Sequence, residues 1–195
     1  THFEDDQRNV LHDWSGAQGS GKLFVGDLFS LVTERTYNNL FSFDNLEAGE
    51  DAILTGSFVS RSSSTTNFKV TTAGQEFTSS SIGSVQLNQG ENTYAKTGSF
   101  IETFQPTNGN FSFNVRYSGT GESEGWLDYI GLNVRQKLQM SGSQLKFTDK
   151  KTLDYPSSTF QLSNAEGVTI WDVTNPLNPF SQEASEGSLK NFGAE

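Results

Sequence analysis

The sequence predicts an all-β chain: a jelly-roll-like antiparallel β-sandwich with a short N-terminal lead and a C-terminal strand extension. Three observations predict it. Apolar residues recur at every second position, most plainly Phe111, Phe113, Val115 and Tyr117 against Ser112, Asn114 and Arg116, which gives one apolar and one polar face. Among 195 residues only 33% are hydrophobic, yet 16 Phe, 5 Tyr and 3 Trp supply large areas to bury and favour a pleated surface. Turn chemistry divides the chain at short intervals, at Gly49-Glu50-Asp51, Ala73-Gly74, Gly83, Asn88-Gln89-Gly90, Pro106-Thr107-Asn108-Gly109 and Gly119-Thr120-Gly121.

In chain order, residues 1–22 read as a lead, with Leu11 three residues before Trp14 allowing a short helix or an extended segment. Strand signals follow at Leu23 to Phe29, Leu40 to Phe43, Ala52 to Val59, Phe68 to Thr72, Gly98 to Phe104 and Phe111 to Tyr117. Ser60 to Thr66 reads as an exposed polar loop. The run from Trp126 to Met140 suits a strand or a helix by periodicity. Gly131 and Asn133 weaken a helix while Tyr129, Ile130 and Val134 favour a sheet, so a strand is predicted with Trp126, Ile130, Leu132, Val134, Leu138 and Met140 on one face. Ser143 to Phe147, Thr159 to Leu162 and Val168 to Val173 complete the set. The sandwich is placed at 23–150 and a β extension or connector at 151–195.

Charge and composition exclude several classes. The net charge is −10 and the 13 Lys and Arg are scattered, which argues against a nucleic-acid partner. Without cysteine there are no disulfides, which leaves the compartment open. No stretch reaches the ~20 apolar residues of a transmembrane helix. The chain starts without Met and stops at Phe192-Gly193-Ala194-Glu195, so it reads as a piece of a longer protein.

Two enzyme signatures fail on their context. Gly16-Ala17-Gln18-Gly19-Ser20-Gly21-Lys22 matches a phosphate loop until the magnesium-holding hydroxyl, which is Leu23, and a strand rather than a helix is predicted next. Gly121-Glu122-Ser123-Glu124-Gly125 fits a nucleophile elbow, but it joins predicted strands as a hairpin loop with solvated Glu122 and Glu124, and both His2 and His12 precede the serine. The two histidines lack zinc spacing. Catalytic, cofactor and metal residues are therefore expected to be none, although Glu47, Glu50, Asp51, Glu122, Glu124 and Asp128 could supply oxygen ligands to a structural Ca²⁺. Asn110-Phe111-Ser112, a glycosylation triplet by pattern, falls on a predicted strand. Trp14, Trp126 and Trp171 read as core or inter-strand packing; their exposure would instead suit a carbohydrate-binding module, the alternative function.

The segment Gly125-Trp126-Leu127-Asp128-Tyr129-Ile130, then Leu132-Asn133-Val134-Arg135, Leu138, Gly142, Gln144-Leu145 and Phe147, resembles the region ahead of the protease domain in the PorU family. These are the outer-membrane sortases of the type IX (Por) secretion system, gingipain-like cysteine peptidases. Phe160, Leu162-Ser163-Asn164-Ala165, Ile170-Trp171-Asp172-Val173-Thr174-Asn175-Pro176 and Phe192-Gly193-Ala194 continue in the family's order. Lys22-Leu23-Phe24-Val25-Gly26-Asp27-Leu28-Phe29 is similar to its W-F-G-E-x-F block, with the Trp replaced and Asp27 where Glu is usual. The resemblance implies a surface-attached peptidase that removes the C-terminal sorting signal of secreted cargo and joins the new end to anionic lipopolysaccharide through a Cys-His dyad. It also implies a location on the extracellular face of the outer membrane. No dyad residue carries over, because the chain has no cysteine. What remains is a non-catalytic sandwich ahead of a downstream peptidase domain, positioning that domain, presenting cargo or docking the outer-membrane partner PorV.

Overall fold

The computed structural model describes residues 1–10, 24–88 and 93–194. Leu11, His12, Trp14, the 16–22 glycine run, Leu23 and Gln89-Gly90 lie outside the described residues. Contacts divide the chain into two compact units, Thr1–Arg135 and Gln136–Glu195. Residues 136–150, placed in the sandwich by the sequence reading, thus fall in the second unit.

The first unit is an antiparallel β-sandwich built from β1 (His2–Glu4), β2 (Leu28–Phe29), β3 (Glu34–Ser42), β4 (Ala52–Arg61), β5 (Phe68–Thr72), β6 (Gln75–Thr78), β7 (Lys96–Phe104), β8 (Asn110–Tyr117) and β9 (Glu124–Asn133). One sheet runs β1-β9-β4-β7, with β2 also pairing β9; the other runs β3-β8-β5-β6. Successive strands repeatedly change sheet, which gives the fold its jelly-roll-like character. The first sheet contributes Leu54, Phe58, Phe100, Leu127, Ile130 and Leu132 to the core, the second Phe68, Val70, Phe111, Phe113, Val115 and Tyr117, all buried. The alternation predicted for Phe111–Tyr117 is seen in full. Aromatic rings knit the layers: Phe58 stacks on Phe68 at 4.4 Å between centroids, and Phe29 meets Phe68 edge-on at 5.4 Å.

β9 departs from simple alternation. Ser57 pairs with Tyr129 but Phe58 pairs with Leu127, so Asp128 is the extra residue of a β-bulge. One inserted residue exchanges the faces on either side of it. Leu127 therefore joins Ile130 and Leu132 in the main core, while Trp126 packs into a separate cluster with Val10, Val25, Val59 and Ala95. The single face predicted for Trp126, Ile130 and Leu132 is corrected on this ground. The strand also ends at Asn133, and Leu138 and Met140 pack against the small core of the second unit.

Gly125, beside Trp126, is a packing requirement: an added Cβ would lie 2.7 Å from Phe68 Cζ and 2.9 Å from Tyr117 Cδ2. Gly125→Val is expected to destabilise the sandwich by about 1–3 kcal/mol, read from the midpoint of denaturant unfolding.

The exposed loop expected over Ser60–Thr66 is confined to Ser63–Thr65, and the two ends of the segment turn inward. Ser60, Ser62 and Thr66 are buried, and the Ser60 hydroxyl lies 2.6 Å from the Tyr117 hydroxyl and 2.8 Å from that of Thr66. These hydroxyls satisfy one another between the layers.

The second unit contains a short 3-10 helix (Lys150–Asp154) and two antiparallel pairs: β10 (Ser158–Leu162) with β13 (Lys190–Ala194), and β11 (Ile170–Asp172) with β12 (Phe180–Gln182). Its core is Leu162, Ala165 and Phe192, with Phe147 and Phe160 against them. Ser143 to Phe147 is not a strand; its contribution is the Phe147 ring, edge-on to Phe160 at 5.2 Å.

Candidate functional site

The β11–β12 hairpin carries the clearest surface feature. Trp171 is 56% exposed, Val173 49%, Leu177 94% and Phe180 54%. The connecting turn is held in shape by its own polar groups and two prolines. The Asp172 carboxylate accepts from the Thr174 amide at 2.8 Å, and the Asn175 side chain from the Leu177 amide at 3.1 Å, with Pro176 and Pro179 between and after them. The Thr174 amide holds the Asp172 carboxyl below its ordinary pKa. A rigid turn presenting apolar side chains loses little entropy on binding. The expectation that all three tryptophans are packed is corrected for Trp171, which is more than half exposed on the two-stranded β11–β12 sheet; Trp126, 2% exposed, is packed, and Trp14 lies outside the described residues. Trp171→Ala is expected to change stability by no more than about 0.5 kcal/mol and to reduce the acrylamide-quenchable part of the fluorescence.

A second feature is a cavity of about 560 Å³ at one end of the sandwich, lined by Ser63, Ser84, Gln86, Asn88 and Glu122. Arg61 braces it: its guanidinium donates to the Leu87 carbonyl at 2.9 Å, lies 3.8 Å from the Glu124 carboxylate and sits over the Tyr94 ring at 4.8 Å. The Gly121–Gly125 segment bounding it is not a hairpin loop, because β8 and β9 belong to different sheets. Ser123 is buried with its hydroxyl donating to the Thr120 carbonyl, which leaves it unsuited to nucleophilic attack, and Glu124 is paired rather than solvated.

The third is Asp128 at the bulge. It is 4% exposed, and among the described residues its Oδ1 has no hydrogen-bond partner. Burial raises its pKa, and the charges of Glu4 and Asp6 add to the shift against a hydrogen bond from Ser57 and the opposing effect of His2. His2 lies against the Tyr129 ring at 4.8 Å, and its Nε2 is 2.8 Å from Glu4 Oε2. Nearby, Tyr37 donates to Asp27 at 2.7 Å, and burial with that carboxylate pushes the phenol far above its ordinary range.

Of the six carboxylates that could serve Ca²⁺, the structure does not gather Glu47, Glu50, Asp51, Glu122, Glu124 and Asp128 into one site; among the described residues no three His, Asp or Glu side chains stand close enough to hold a metal as they lie. Glu4 and Asp6, whose charges act on Asp128, were not singled out by the sequence. Their signal is only that acidic residues cluster beside a three-residue strand. Asn110 is exposed at the start of β8, where its side chain accepts from Ser42 at 2.8 Å.

No protein-family model and no curated protein matches the chain. Among solved structures it superposes on the crystal structure of dimeric latent PorU from Porphyromonas gingivalis with a TM-score of 0.75, at 17% identity, over 99% of this chain and 18% of that one. The chain has a PorU-like fold. It spans 18% of the length of that PorU chain, so the match concerns one part of a larger molecule. The carbohydrate-binding module CBM36 aligns with a TM-score of 0.38 at 11% identity, over 68% of this chain and 99% of the module. The sugar-binding C-terminal domain of EclA aligns at 0.33 and 13% identity, over 61% and 88%. The PorU-like chain contains no cysteine, so a thiolate nucleophile is absent from it. No helix among the described residues is long and apolar enough to cross a membrane.

Proposed function

We propose that the chain is a non-catalytic β-sandwich region of a surface sortase of the type IX secretion system, supporting removal of the C-terminal signal from secreted cargo by positioning or docking. The observation that carries this reading is the fold similarity to PorU over 99% of the chain, taken with the ordered resemblance from Gly125 to Pro176 and the lack of cysteine. On this reading the chain acts at the extracellular face of the outer membrane, beside a peptidase domain encoded further along. Its docking partners would be that domain, PorV or cargo. The side chains assigned to docking are Trp171, Val173, Leu177 and Phe180, because aromatic and aliphatic anchors on a rigid turn are what a protein pocket takes up.

The test is binding of the isolated chain to immobilised PorV and to the downstream peptidase domain. Saturable binding to one of them, weakened at least tenfold by Leu177→Asp, supports the reading; no binding to either counts against it. The exposure of Trp171 favours a second reading, a glycan-binding module. Saturable quenching by a soluble glycan that is lost in Trp171→Ala, without any protein binding, would select that reading instead.

A further inference from the structure

The two sheets of the first unit end on β1 and β7 and on β3 and β6. An open edge is a row of unpaired main-chain groups, and proteins blunt such rows because any extended chain can pair with them. Three of these edges are blunted. β1 is three residues long, β6 is four, and β3 is broken by a register shift between Tyr37 and Phe41, with Asn39 at a φ of 49°. β7 is nine residues long and pairs with β4 without a shift.

Part of β7 is covered. The Ser80 amide donates to the Ser99 carbonyl at 2.9 Å and the Ser99 amide to the Ser80 hydroxyl at 3.1 Å, so both main-chain groups of Ser99 point away from β4. In an antiparallel strand that direction recurs at every second residue, and the N–H and C=O of Ile101 and Thr103 therefore point the same way. Among the described residues nothing pairs with them. The side chains of this stretch are open too. Ile101 is 75% exposed on the outer face, diagonal to Ile53 at 40%. Glu102 stands on the opposite side of the strand, the side on which Phe100 and Phe104 are buried, yet it is itself exposed.

We propose that the 101–103 edge of β7 is a docking site for an extended, basic peptide segment of a partner protein, which adds to the sheet as a further strand. Ile101 and Thr103 offer that segment two donors and two acceptors, and its alternate side chains fall on opposite faces. An apolar residue would lie against Ile101 on the outer face, and a neighbouring Lys or Arg would reach Glu102 on the other. Charge favours this occupant over a second copy. A copy that used both edge residues would pair Ile101 with Thr103, which sets Glu102 directly opposite Glu102, between chains that each carry a net charge of −10. The site lies in the first unit and does not depend on the Trp171 hairpin.

The probe is a fluorescein-labelled, capped heptapeptide of alternating valine and lysine, titrated with the full chain and read by anisotropy. It should bind saturably. The same peptide with an inner valine replaced by proline should bind at least tenfold more weakly, because a ladder donor is lost while the charge is kept. Ile101→Pro should also cost at least tenfold in affinity while the chain stays folded, since the Ile101 N–H makes no bond to β4. Thr103→Pro should do the same, and it decides the matter if Ile101→Pro does not fold. Glu102→Gln should weaken binding by about two- to fivefold and flatten its dependence on salt. Binding that survives both proline variants, or that the proline peptide matches, overturns the site, because charge alone is then responsible. The absence of saturable binding overturns it as well. So does a chain that sediments as a dimer and becomes a monomer in Ile101→Pro, because the occupant of the edge is then a second copy.

Discussion

Phe58→Ala is expected to cost the sandwich about 3–5 kcal/mol, among the largest losses from a single truncation in the first unit. Phe58 is fully buried on the central strand β4, stacks on Phe68 at 4.4 Å and faces Phe100 at 6.1 Å. Its removal takes away transfer free energy and leaves a cavity between two sheets whose hydrogen bonds hold them in place. The measurement is urea unfolding followed by far-UV circular dichroism. A fall in midpoint with an unchanged slope would locate the loss in native packing rather than in the unfolded chain. A loss below about 1 kcal/mol would mean that the two layers do not close on Phe58 as described.

Trp126→Ala is expected to cost a similar ~3–5 kcal/mol, but through a different cluster, that of Val10, Val25, Val59 and Ala95 on the other side of the sheet. The indole Nε1 has no hydrogen-bond partner among the described residues. Trp126→Phe should therefore be much milder than Trp126→Ala, since it removes an unpaired donor while keeping a ring. Difference fluorescence separates Trp126 from Trp171: emission lost with Trp126 should be blue-shifted and shielded from acrylamide, and emission lost with Trp171 red-shifted and quenchable. If Trp126 proved quenchable, the bulge at Asp128 and the side exchange that it imposes would be in the wrong place.

These two residues mark what was legible in the sequence. Phe68–Thr72 and Phe111–Tyr117 alternate cleanly because each strand has one face on the core and one away from it, whereas in β4 Phe58 and Val59 are both buried, in clusters on opposite sides of the sheet. Reading alternation assumes one residue per step, and β9 breaks that assumption at Asp128. Around the bulge, Trp126-Leu127 and Tyr129-Ile130 are apolar or aromatic at both parities, so the pattern holds no mark of where the register shifts. β1 was not legible either: three residues cannot show a period, and it is a strand because Phe3 pairs with Ile130 across 127 positions of sequence (130 − 3). Ser60, Ser62 and Thr66 read as loop because hydroxyls read as polar. The clue was Ser60 and Ser62 alternating with Arg61 and Ser63, which continues the period of β4 inward. The second unit was readable only in pieces, since its strands are three to five residues long and its core is small. The candidate site followed the same rule. Trp171 was singled out by residue type, but its exposure is a property of the fold, and the placement of Glu4 beside the strand that carries Asp128 is set by the long-range pairing of β1 with β9.

The central claim is that this cysteine-free sandwich serves a type IX sortase by docking rather than by chemistry. The most direct test is in cells secreting cargo through that system. The segment corresponding to residues 1–135 is deleted from the protein that carries it, cargo maturation is followed by loss of the C-terminal signal on a gel, and peptidase turnover is followed on a small peptide. The account predicts that unprocessed cargo accumulates while turnover of the small peptide persists. Cargo matured at the normal rate without the segment would contradict it.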